Sequence, residues 1–81
     1  MANETLPPMD AMLREVFRVA YIFRQKYQHP TDELDFWERA AEEMNALYNQ
    51  CNQHPFAKVI LLACYTDIER ELKENLEAAK H

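Results

Sequence analysis

The sequence has 81 residues, 48% of them hydrophobic, a formal net charge of -5, and neither glycine nor serine. That size and apolar content fit one folded domain and exclude a disordered chain. The missing glycine excludes P-loops and dinucleotide fingerprints, which need bare backbone against a phosphate, and the missing serine excludes serine-nucleophile hydrolases.

Residues 1–7 read as a short N-terminal tail ahead of a single helical domain over residues 8–81. Pro7 and Pro8 suit a helix start, where the missing N–H is not needed. Met9, Leu13, Val16, Ala20, Phe23 and Tyr27 then recur at spacings of four and three, which predicts a first helix over about residues 8–28. His29-Pro30 ends it, because the residue before proline avoids helical angles.

Thr31 is the expected N-cap of a second helix over about residues 32–51, with Asp32 and Glu33 at the positive end of its dipole. Its apolar stripe is Leu34, Trp37, Ala41, Met44, Tyr48 and Cys51. Asn49 or Asn52 is the expected left-handed residue at its end, a place glycine fills in most chains. Pro55 opens a third helix over about residues 55–79, with Leu61, Tyr65, Ile68, Leu72, Leu76 and Ala79 as its stripe. Glu69 and Lys73 stand in the favourable order for an i,i+4 ion pair on its exposed side. Short connections make consecutive helices antiparallel neighbours, so the expected fold is all-α, a three-helix up-down-up bundle. The rival arrangement is a helical hairpin whose third helix docks on a partner chain.

Two segments are apolar nearly all round. Only Arg18 is polar in Val16–Phe23, and only Lys58 in Phe56–Tyr65. A bundle buries one stripe per helix. Phe17, Val19, Tyr21 and Ile22 on the first helix, and Val59 and Leu62 on the third, therefore lie off the main stripes. They are the candidate apolar contact residues, for a protein partner or for a second copy of the chain in a homodimer.

Charge is unevenly spread: residues 31–55 carry six acidic groups against Arg39 alone. Asp35, Glu38 and Glu42 step along one face of the second helix and are the candidate acidic contact residues. Such a row imitates a phosphate backbone and would suit an inhibitor or antitoxin-like protein that blocks a basic partner. The acidic balance argues against nucleic acid as the partner, despite Arg14, Arg18, Arg24 and Lys26 on the first helix.

Cys51-x-x-His54 has ligand-like spacing, and Cys64 and His29 complete an imaginable zinc set. A structural zinc site normally shows a second close pair, which is missing. With no secretory leader to be read, free thiols in a reducing cytoplasm are the expectation. No apolar run approaches the roughly 20 residues of a membrane span. We therefore expect no enzyme, cofactor, metal, membrane or small-molecule substrate. The expected function is a small regulatory protein that binds a protein partner through apolar helix surface; the acidic inhibitor is the alternative.

Overall fold

The computed structural model describes residues 10–79, so the tail expected over residues 1–7 lies outside the described residues, as do Pro8 and Met9. Three helices make up the fold: α1 (Ala11–Lys26), α2 (Leu34–Gln50) and α3 (Pro55–Ala79). No strand occurs among the described residues.

Each helix boundary has a local cause. Helix α1 starts later than the prolines suggest. The Asp10 carboxylate accepts from the N–H groups of Met12 and Leu13 at 2.7 and 3.4 Å, satisfying donors the helix itself leaves free. Helix α2 also starts late, after Glu33, which makes no side-chain capping bond. Thr31 is diverted into the lead-in. Its hydroxyl accepts from the Glu33 N–H at 3.3 Å, and its carbonyl accepts from the Trp37 indole N–H at 2.7 Å.

The end of α2 is a Schellman motif built without glycine. The Gln53 N–H donates to the Tyr48 carbonyl and the Asn52 N–H to the Asn49 carbonyl, each at 3.0 Å. Asn52 takes φ 55° to make these bonds, and Gln53 after it also holds φ 55°. Asn52 is thus the left-handed residue that the sequence offered at this place. Helix α3 follows at once. The His54 imidazole Nδ1 accepts from the Phe56 N–H at 3.1 Å, and Pro55 occupies the first helical position.

Long-range contacts fix the topology. Glu15 meets Gln50 at one end of the α1–α2 pair and Lys26 meets Glu43 toward the other, so these helices run antiparallel. Phe17 meets Phe56 and Arg24 meets Asp67, so α1 and α3 run parallel. Trp37 meets Tyr65 across α2 and α3. The result is the up-down-up three-helix bundle.

The core is small. Val16, Ala20, Phe23 and Tyr27 bury the predicted stripe of α1, against Ala40 and Cys51 of α2 and Ala57, Leu61 and Ile68 of α3. Aromatic rings then chain along it: Phe23 to Tyr27, Tyr27 to Phe36, Phe36 to Trp37 and Trp37 to Tyr65, with centroids 5.0–5.5 Å apart. Burying a side chain the size of Phe23 contributes about 1.5–3 kcal/mol, so a handful of residues carries most of the stability.

Two details of the stripes need correction. Helix α2 is rotated from the predicted setting: Ala40 is fully buried while Ala41 is exposed, and Leu34 is 73% exposed. Phe36 and Leu47, outside the predicted stripe, pack against the core instead. On α3 the stripe holds through Leu72, but Leu76 and Ala79 are exposed. With its 25 residues α3 outruns α1 and α2, at 16 and 17, and beyond Leu72 neither reaches far enough to cover it.

Candidate protein-binding surfaces

Five of the six apolar candidates are on the surface: Phe17, Tyr21, Ile22, Val59 and Leu62. Val19 is the exception. At 2% exposure it is a core residue, and it cannot touch a partner. The reason is the breadth of the buried face of α1, which packs against both other helices and so covers Val19 beside the Val16–Phe23 stripe.

The exposed five do not form one patch. On α1, Tyr21 lies one turn beyond Phe17 on the flank facing α3. The Phe17 ring meets that of Phe56 edge to face, centroids 5.3 Å apart. Val59 follows Phe56 by three residues and is 63% exposed. Tyr21, Phe17, Phe56 and Val59 therefore make a continuous apolar band across α1 and the first turns of α3. Phe56 was not singled out from the sequence; its place at i-3 from Val59 is the signal that would have found it.

Leu62 turns away from this band toward α2. With Met44, Tyr48 and Leu61 it lines a shallow groove of about 210 Å³, rimmed by Lys58 and Asn45. That is below the several hundred Å³ typical of small-ligand sites, and it suits a single apolar side chain. Ile22 lies on the other flank of α1, toward α2, and joins neither the band nor the groove.

Below the band the two helices are tied by charge. The Arg24 guanidinium donates to Asp67, at 3.0 and 3.2 Å, and to Glu71. Asp67 also accepts from Arg70, 2.7 Å away. The hydrogen bonds from Arg70, and then from Arg24, hold the Asp67 carboxyl down to about 2. At the other end Arg18 pairs with Glu15 at 2.6 Å and Gln50 donates to the same carboxylate, which again sits at about 2. Solvent screens these partly exposed pairs, and the ones that cross between helices, Arg24 with Asp67 and Glu71 and Gln50 with Glu15, serve mainly to set the register of α1 against α3 and α2.

The acidic candidates Asp35, Glu38 and Glu42 are all exposed on the outer side of α2. Arg39 stands among them and pairs with Asp35 at 3.1 Å. That leaves Glu38 and Glu42 as the carboxylates of the row without an ion pair among the described residues.

The sulfur and imidazole groups are employed separately. Cys51 is fully buried at the end of α2, and burial pushes its thiol up. Cys64 is half-buried; its thiol donates a long 3.8 Å contact to the Ala20 carbonyl, and burial raises it too. Both cysteines are free. His54 caps α3, and His29 is exposed in the α1–α2 connection. Among the described residues no three His, Cys, Asp or Glu side chains gather as a metal site, and no helix is long and apolar enough to cross a membrane. No family model, no curated protein and no solved structure matches the chain.

Proposed function

We propose that this chain is a small non-enzymatic regulatory protein that binds another protein through the Tyr21–Phe17–Phe56–Val59 band. One observation carries the reading: a half-exposed Phe17 ring against a partly buried Phe56 ring, flanked by two strongly exposed apolar side chains, all on helices rather than loops. Aromatic side chains that bind cost little conformational entropy when their backbone is already rigid, and they dominate the centres of protein interfaces. Phe56 packs against the core, but Tyr21, Phe17 and Val59 lie outside it, so the fold gains little from keeping those three apolar. A partner that covers it removes that surface from water at roughly 25 cal/mol per Å².

A second reading rests on Glu38 and Glu42, exposed and without an ion pair, as an acidic surface for a basic partner. The neutralising Arg39 within the row makes it the weaker of the two. Substitution separates them. Phe17→Ser with Val59→Asp abolishes binding by the band and leaves binding by α2 intact, whereas Glu38→Lys with Glu42→Lys does the reverse. Added salt weakens only the second kind.

A further inference from the structure

A different face of the molecule, on the side of α3 turned toward α2, carries its own pattern. Leu62, Glu69 and Leu76 recur at intervals of seven, so they share one line along α3, with Lys73 beside it. Leu62 and Leu76 are each 46% exposed, and Leu34 of α2 adds an exposed apolar side chain on the same side. The i,i+4 pair expected between Glu69 and Lys73 does not form. Both side chains are exposed and without an ion pair among the described residues, while Arg70 beside them is taken up by Asp67 and Glu74. Read along α3, the line runs apolar, negative, positive, apolar. Reversed with Glu69 set opposite Lys73, it also brings Leu62 to about one turn from Leu76.

We propose that this face pairs with the same face of a second copy, the two α3 helices lying antiparallel about a two-fold axis near residue 71. Glu69 of each chain then faces Lys73 of the other, and Leu62 of each lies about one turn from Leu76 of the other. The contact is isologous, so every favourable pairing occurs twice. It also covers the last turns of α3, which outrun α1 and α2. The second copy fits better than an unrelated protein because the charge order of the line complements its own reverse. This inference uses a face apart from the Tyr21–Phe17–Phe56–Val59 band and does not depend on the function proposed for that band.

Sedimentation equilibrium on the full chain tests it, with far-UV circular dichroism to confirm that every variant is helical. The expected result is a wild-type mass twice the 9.7 kDa of the chain at micromolar concentration. Glu69→Lys alone and Lys73→Glu alone each weaken self-association at least tenfold by setting like charges opposite each other. The double variant Glu69→Lys/Lys73→Glu restores it, and so does mixing the two single variants. Leu76→Asp, at a site the fold does not bury, gives a folded monomer. A wild-type monomer throughout, or a dimer indifferent to the single charge reversals, overturns the proposal. A double variant that associates as poorly as the singles overturns it too.

Discussion

Phe17 and Phe56 meet edge to face at 5.3 Å, yet Phe17 is 46% exposed. An aromatic pair of this kind is worth about 0.5–1.5 kcal/mol to the fold, much less than a buried ring, and it leaves apolar area for something else. The pair bridges α1 and α3 where the Arg24–Asp67 ion pair has already fixed their register, so its geometry is set before any partner arrives.

The contrast between Val19 and Val59 gives the first prediction. Both look alike in the sequence, but one is 2% exposed and the other 63%. Val59→Asp should leave stability within about 0.5 kcal/mol of wild type, as surface substitutions do. Val19→Asp buries an unpaired carboxylate and should leave the chain unfolded, since a domain of this size holds only about 3–5 kcal/mol in its core. Urea titration followed by circular dichroism checks both.

Val19 also marks where sequence periodicity stops being sufficient. The spacing of apolar residues located three helices and their breaks, because proline and the 3.6-residue period are local physics. Which side of each stripe meets a neighbour is a tertiary matter. Helix α2 buries Ala40 and not Ala41, and leaves Leu34 in solvent, because its rotation follows from packing Phe36 and Leu47 against the core. Likewise, the basic residues late in α1 look from sequence like partners of the helix dipole. Arg24 instead reaches across to Asp67 and Glu71, more than forty residues away. Runs too apolar for one stripe to absorb pointed to surface at Phe17, Tyr21, Ile22, Val59 and Leu62, which are exposed, but equally at Val19, which is buried.

The end of α2 supplies the second prediction. The left-handed Asn52 aims the Gln53 N–H at the Tyr48 carbonyl, and Gln53 itself also holds φ 55°. A residue with a Cβ pays about 1–2 kcal/mol for that left-handed conformation, and glycine does not. Gln53→Gly also loses an exposed amide contact to Asn49, of small value, and glycine is freer in the unfolded chain. The net expectation is a stabilisation of about 0.5–1 kcal/mol, read as a higher denaturation midpoint at unchanged m-value.

Acid should destabilise the fold in a defined window. Asp67 and Glu15 are held at about 2, below their ordinary 3.8 and 4.5, by the hydrogen bonds of Arg70 and Arg24 and of Arg18 and Gln50. Between those values the unfolded chain binds more protons than the folded one. The stabilisation is therefore complete above the ordinary values and is lost as pH falls toward about 2. Thermal melts should be nearly constant from neutral pH to about pH 5 and then fall steadily toward about pH 2. Asp67→Asn should flatten the fall, and salt should shrink the effect, because these groups are partly exposed.

In the proposed function, the Tyr21–Phe17–Phe56–Val59 band is where another protein binds. Site-specific photocrosslinking in the native host reads this most directly, with a benzophenone amino acid placed at Val59 in one variant and at Glu38 in another. The expected result is a discrete adduct from position 59 whose second component is a different protein. Phe17→Ser should remove this adduct, and position 38 should give none. An adduct from position 38 with position 59 silent would rule out the band as the binding site, as would adducts from position 59 that contain only a second copy of this chain.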